Sequence, residues 1–598
     1  MLRRIRRNDD AGFTMLAVLA SMVLIMGLVL VGIGYAVAAH RSARTSQDAK
    51  SALSAAQAGL QDFIHRLNAC EDYYAYPNQS CVSTTPNPAI RTAPADTNVA
   101  VVPGTGGVEQ AVYSQRVLVR PTDLNSSGKV RVEVVGQVVN KDTQQVRETE
   151  KLVADLGRDG FLRFLYFTDY ETFSPANTRL LRTPFTVKPT SSITVRDYRT
   201  GATHTLSANV TYTVAQPTLD QVTAGCARYY YNADNTVPNR ANFPRTITGA
   251  GLPAAGVQYW PGSTSSAGAI GNYQCLTINF SGTDTFDGPV HTNDAMSISG
   301  PVTFKDDVTT GWKPTSGTPW YGTGTPSGAG NKPVGAGRKD LPSTTDKQAE
   351  IAAKNGCVYT GPTSIVFLAN GSMKVRSPAT RGGDVNTGCA NVAGSTLMSD
   401  EQTVKGPANG VVYVKKSTAA SGTCLSFQSN PLDVTNYDNA GCTRGDAFVQ
   451  GTVSGRFTVA AEHDVIVTDD VLYRGGTAGT DALGLIGTNN VAVWHPVNAG
   501  GQNINTPADL EIDAAIASTT NSFTVLNHDK GLKLGTLTIR GVIIQRYRGP
   551  VATGSGVATS TGYSKNYLFD DRLEGTPPPA FIEPKNDSWD IKSTSIQQ

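Results

Sequence analysis

Residues 13 to 39, FTMLAVLASMVLIMGLVLVGIGYAVAA, contain no charged side chain, and no other stretch constrains the chain so strongly. At about 1.5 Å per residue the run would measure roughly 40 Å as a helix, against a hydrocarbon core of about 30 Å. A helix of this kind is expected to cross a bilayer. Arg3, Arg4, Arg6 and Arg7 precede it in MLRRIRRNDDAG, which keeps the amino end in the cytoplasm and places everything after His40 outside. The expected localisation is a single-pass cell membrane protein with an extracytoplasmic bulk.

Disulfides persist on that side of a membrane, and the eight cysteines, Cys70, Cys81, Cys226, Cys275, Cys357, Cys389, Cys424 and Cys442, all fall there. The simplest pairing is sequential, 70 with 81, 226 with 275, 357 with 389 and 424 with 442, although eight cysteines allow about 105 connectivities. No CxxC is present, so zinc or thioredoxin-like chemistry is not expected. Lys plus Arg at 51 against Asp plus Glu at 49 offers no field that would gather nucleic acid. A length of 598 residues implies several units, and 60 glycines with abundant Thr, Val and Asn describe a turn-rich β exterior.

Beyond the apolar run, Ala49, Leu53, Ala56, Leu60, Phe63 or Ile64, and Leu67 recur every three or four residues, which predicts one helix over 13–67. SQRVLVR (114–120), KVRVEVVGQVVN (129–140) and QVRETEKLVAD (145–155) alternate and are separated by turn residues. They predict an antiparallel sheet within 68–157, so the amino-terminal part is α+β. Asp123, Asn125, Ser127 and Gly128 imitate half of a calcium loop, but Val134 stands where its bidentate Glu belongs, and a hairpin turn is expected. Residues 158–280 are expected as a β-rich connection. Short strands separated by Gly, Asn or Asp over 281–584 suit the rungs of a parallel β-solenoid, a β-sandwich being the alternative. Within it, 317–342 is Gly and Pro rich and is expected as an insertion. The tail 585–598 is expected to lie along the surface with Trp589 as an anchor.

The Gly12-Phe13 junction, directly after the basic leader 1–12, resembles the prepilin leader of type IV pilins, which a prepilin peptidase cuts after the glycine. The resemblance implies a mature chain beginning at Phe13, partner pilins that meet its helix, and assembly into a filament. Such pilins usually carry Glu at the fifth mature position, where this chain has Ala17. Among minor pilins the subunit lacking that Glu is the one expected at the tip. AAQAGLQDFIHRL (55–67) looks like the helix end of the PilX-type minor pilins. FLYFTDYE, GPVHTNDAMSISG, LGLIGTNNVAVWHP, IDAAIAS, GTLTIRGVIIQRYRGPV, GYSKNYLFDDRL and PPPAFIEP are similar to an uncharacterised family of bacterial envelope proteins, which implies an exterior location and no known activity.

No catalytic, cofactor or metal site is expected. Gly337 is followed by Arg338, Lys339 and Asp340, which does not complete a phosphate-binding loop. His40, His65, His204, His291, His463, His495 and His528 fall in no catalytic spacing, although the last four would have to converge on one face to matter. Asp469 with Asp470, and Asp570 with Asp571, are adjacent and so point to opposite faces of a strand. The expected function is a non-enzymatic, tip-located pilin-like subunit that displays a β domain to a surface or glycan ligand. The alternatives are an anchored adhesin outside any filament and a polysaccharide-acting β-helix enzyme.

Overall fold

The computed structural model describes residues 11–70, 73–77, 79, 87–105, 107–120, 129–157, 160–174, 185–187, 192–196, 203–214, 278–281, 284–312, 318–327, 332–418, 443–498, 500–555, 558–585 and 589–597. They fall in two compact units. The first comprises Met1–Arg158 with Ser588–Gln598, and the second Asp159–Asp587. The imitation calcium loop lies outside the described residues.

In the first unit helix α1 runs Ala11–Ala69. Good helix formers and the absence of proline allow that length. Its second half buries Ala56, Leu60, Phe63 and Leu67, as the sequence spacing predicts, but Ala52 and not the expected Ala49 or Leu53 continues the buried stripe, those two being only partly buried. The stripe lies against an antiparallel sheet of β1 (Ala100–Val101), β2 (Glu109–Val119), β3 (Val130–Asn140) and β4 (Val146–Gly157). Contact is close because the crossing is built from small residues. A Cβ on Gly136 of β3 would stand 2.0 Å from the Ala52 carbonyl oxygen and 2.4 Å from the Ala56 nitrogen. Only a bare backbone fits there.

The sheet gains a fifth strand that the sequence reading did not place. Asp590–Gln597 pairs antiparallel with β4, in the order β1-β2-β3-β4 and then this strand. The tail lies along the surface as an exposed edge strand, a pairing the expectation did not include, and Trp589 is buried in this unit's core. Asn68 holds it from the helix end: its Oδ1 accepts the Trp589 N–H at 2.6 Å and its Nδ2 donates to the Trp589 carbonyl at 3.2 Å. Gly157 pairs with Asp590, so the second unit is inserted where a hairpin turn would otherwise join two neighbouring strands.

The second unit is mainly β, as expected, and its central strands pair in parallel. Val290 lies opposite Val308, Phe280 opposite Ile298 and Thr285 opposite Thr303, a step of 18 residues per coil. Farther on, Val465 lies opposite Val491 and Val491 opposite Phe523, steps of 26 and 32. Coils of unequal length explain why no repeat is visible in the sequence. The chain does not wind from one end. Strand β5 (Tyr166–Tyr170) lies between Ile543 and Val290, and the coils grow from it through Val308 to Val334–Gly335. Residues 336–356 then pass along the side of the stack to Cys357. From there Val412, Val459, Leu485, Ile516 and Ile543 occupy successive coils back to Tyr166.

Both faces of this ladder are apolar. Val412, Val414, Leu485, Ile516 and Ile543 point into one core. Tyr413, Ala460, Ile486, Ala517 and Ile544 face the other way, against Leu341, Ala352, Leu573 and Phe581. Burial on both faces is the habit of parallel sheets. The helix Asp346–Asn355 and residues 573–582 supply the cover. Two expectations change here: Tyr166–Tyr170 belongs to the stack although it falls in the expected connection. The expected insertion contributes the short parallel strands Trp320–Tyr321, Thr325–Ser327 and Val334–Gly335. Thr363–Phe367, Ser372–Arg381 and Leu397–Lys405 pair antiparallel, so the unit is not parallel throughout.

Candidate functional site

The first candidate is the amino-terminal half of α1. From Met15 to Tyr35 its large apolar side chains are half to three-quarters exposed, among them Leu16 at 70%, Leu24 at 65% and Tyr35 at 78%. It is the one candidate membrane span among the described residues. So large an apolar surface is not left in water and calls for lipid or a partner helix. Gly12 and Phe13 lie within the helix, and Ala17 lies on its exposed surface.

The second candidate is a polar seam where β5 meets the last coil. Ile543 opposite Tyr166 sets the register, which carries Arg546 to Asp169 and Arg548 to Glu171. Arg546 Nη1 donates to Asp169 at 2.5 Å and Arg548 Nη1 to Glu171 at 3.2 Å. Arg548 Nη2 also reaches Asp284 at 3.4 Å, and Lys565 Nζ donates to Asp284 at 2.9 Å. Arg548 is 3% exposed, with its guanidinium 3.9 Å from the Phe280 ring centre. Burial pushes the Asp284 carboxyl up, but Lys565 and Arg548 together outweigh it and hold it below the usual range. Each buried charge has an opposite partner, so the six residues are a clamp between distant chain segments. The signal was present in the sequence as Asp169 and Glu171 two apart and Arg546 and Arg548 two apart, but nothing there announced that the two strands are neighbours.

A third cluster joins Asp446, His463 and Asp464, whose donor atoms lie within 4.8 Å of one another. It belongs to a corner that repeats along the stack. Asp446 Oδ1 accepts the Asp464 N–H at 3.1 Å, Asp464 Oδ1 the Asn490 N–H at 2.8 Å, and Asn490 Oδ1 the Ser522 N–H at 3.3 Å. The preceding residues stack likewise. His463 Nδ1 lies 2.7 Å from Asp446 Oδ1, Asn489 Nδ2 donates to Asp464 Oδ1 at 2.8 Å, and Asn521 Nδ2 to Asn489 Oδ1 at 3.0 Å. Burial works against the imidazolium, but Asp464 and Asp446 overcome it and raise the His463 pKa to about 9. Burial pushes the Asp464 carboxyl up. These atoms are committed to the ladder.

Among the described residues, His291, His463, His495 and His528 each have partners of their own. His291 is buried beside the Phe164 and Phe167 rings and bonded to Asn293 and Thr309, and burial lowers its pKa to about 4. His495 bonds the Leu526 carbonyl and Asn503, while His528 lies near the Phe173 ring. His40 and His65 are exposed on α1. Of the acid pairs, Asp469 and Asp470 are both exposed, whereas Asp570 is buried against Arg572 at 2.6 Å and Asp571 is exposed. Cys357 and Cys389 form a disulfide, as the sequential pairing expects. Cys70 is also disulfide-bonded, and Cys81, Cys226, Cys275, Cys424 and Cys442 lie outside the described residues.

No protein-family model matches the chain, and no curated protein matches it. Among solved structures, the competence-associated pilin ComZ from Thermus thermophilus aligns over 92% of this chain and 97% of its own, at 10% identity and a TM-score of 0.26. A likeness that slight carries no argument. These comparisons give no support to the PilX-type or envelope-family resemblances.

Proposed function

We propose that the chain is a non-enzymatic, pilin-like subunit of a type IV or related filament, whose second unit is a β-solenoid displayed for adhesion. The observation that carries the reading is α1. One continuous helix is apolar and exposed through its first half, then docks by Ala52, Ala56, Leu60 and Phe63 on an antiparallel sheet. The exposed half suits storage in a membrane before assembly and contact with other subunits' helices afterwards. A terminal position in the filament is supported by Ala17, which lacks the carboxylate expected to hold a neighbouring subunit, and by the size of the inserted unit.

Mass spectrometry of protein extracted from membranes tests the processing step and should find Phe13 at the amino end. Gold-labelled antibody raised against residues 161–598 should mark filament ends. Regular labelling along the shaft defeats the terminal position. An intact Met1 in cells with active prepilin peptidase favours the anchored adhesin.

A further inference from the structure

Beside the polar seam lies a cavity of about 170 Å³ lined by Tyr166, Phe173, Phe286 and Tyr567, with Arg548 and Lys565 among its walls. We propose that this cavity is a binding subsite for a single pyranose ring of a surface glycan. The inference rests on the adhesive reading above and names its ligand class.

Size limits the occupant first. At about 30 Å³ per water the cavity displaces roughly six waters, room for one six-membered ring and not for a run of them. The walls limit it next. Tyr166, Phe286 and Tyr567 are at most 7% exposed, while Phe173 is partly exposed and Lys565 has 35% of its side chain in solvent. Buried aromatic faces under a wet rim suit a ligand with an apolar face and polar edges.

Unspent hydrogen-bonding groups select the chemistry. Lys565 Nζ gives one of its three N–H groups to Asp284. Arg548 uses Nη1 and Nη2 on Glu171, Asp284 and the Ile278 carbonyl, and its Nε–H has no partner among the described residues. The Tyr567 hydroxyl also has none among them. The site therefore offers donors to oxygen acceptors. Arg548 and Lys565 are already balanced by Glu171 and Asp284, so a full negative charge on the ligand would be unmatched. Neutral hydroxyl and ring oxygens on a carbon ring meet both conditions, and a pyranose carries them.

The test uses the full chain in detergent, with methyl glycosides of glucose, galactose and N-acetylglucosamine as probes and benzoate as the planar carboxylate control, read by saturation-transfer NMR. At least one glycoside should bind saturably with a millimolar Kd, and benzoate should not compete. Tyr567→Phe should weaken binding about five- to tenfold, the loss of one hydrogen bond, and Phe173→Ala should weaken it at least as much. Lys530→Ala, outside the cavity lining, should change nothing. Absence of saturation by every glycoside at about 100 mM, preferential binding of benzoate, or wild-type affinity in Tyr567→Phe overturns the proposal. Tyr567→Phe removes only a hydroxyl, so it keeps the test usable where Phe173→Ala unfolds. Antibody labelling of filament ends is indifferent to this result, so failure of the subsite and failure of the filament reading are separately visible.

Discussion

His463 is the residue whose chemistry is most exposed to pH. With its pKa raised to about 9, the imidazolium contributes stability fully below the unfolded value of about 6.5, and loses it as pH rises through about 9. Asp446 and Asp464 supply the attraction, Arg444 opposes it, and Asn489 completes the surroundings. The contribution is on the order of 3 kcal/mol. His463→Asn substitutes the residue that the next coil uses at that corner, Asn489. Denaturation midpoints of this variant between pH 6.5 and 9.5 should show a smaller decline than wild type. At the seam, Arg548→Met should cost about 3 to 5 kcal/mol in chemical denaturation, because Glu171 and Asp284 lose a buried partner. Asp284 adds a dependence at the acid end. Its carboxyl is held below the unfolded value of about 3.9, so its share is present above that pH and disappears as pH falls through the folded value.

At the scale of elements, α1 and the parallel ladder fail in different ways. Gly136 lets the helix backbone touch β3, and Gly136→Val puts a branched side chain where even a Cβ would stand 2.0 Å from the Ala52 carbonyl. Hydrogen exchange over residues 52–67 should rise sharply in this variant, with exchange in the second unit unchanged. Ile543 is fully buried, stacked between Ile516 and Tyr166. Ile543→Ala should cost about 2 to 5 kcal/mol by transfer and cavity terms, measured by denaturation of the full chain. Elements with strong periodicity were legible beforehand. The spacing of Ala56, Leu60, Phe63 and Leu67 announced a helix face, and VRVEVVGQVVN announced β3. IKSTSI did not announce a strand, because an exposed edge needs no apolar alternation.

For the whole molecule the decisive fact is insertion. Gly157 and Asp590 are paired neighbours, so a short turn would join them if the intervening unit were removed. A chain in which 159–587 is replaced by a four-residue Gly/Asn turn should keep the first unit folded, with Trp589 still buried. Retention of cooperative unfolding and a protected Trp589 fluorescence spectrum would verify it. Loss of both would mean that the second unit is required for the first to fold. Within the second unit, the first strand in sequence is held between later coils. Arg548→Met should therefore loosen both Tyr166–Tyr170 and the last coil in hydrogen exchange, although they are far apart in the chain.

By itself the sequence determined the charge-free helix, its continuation as an amphipathic face, the antiparallel meander and the mainly-β character of the rest. These are local periodicities of 3.6 and 2, carried by neighbouring residues. It left open how the short strands pair, because Val, Ile and Ala alternate alike in coils of 18, 26 or 32 residues and in a sandwich. Only the tertiary structure brought FTDYE beside QRYRG, sent 336–356 along the stack, and added the tail to the first sheet. Those choices depend on register between segments hundreds of residues apart, where opposite charges and buried faces match only after the chain has turned back on itself.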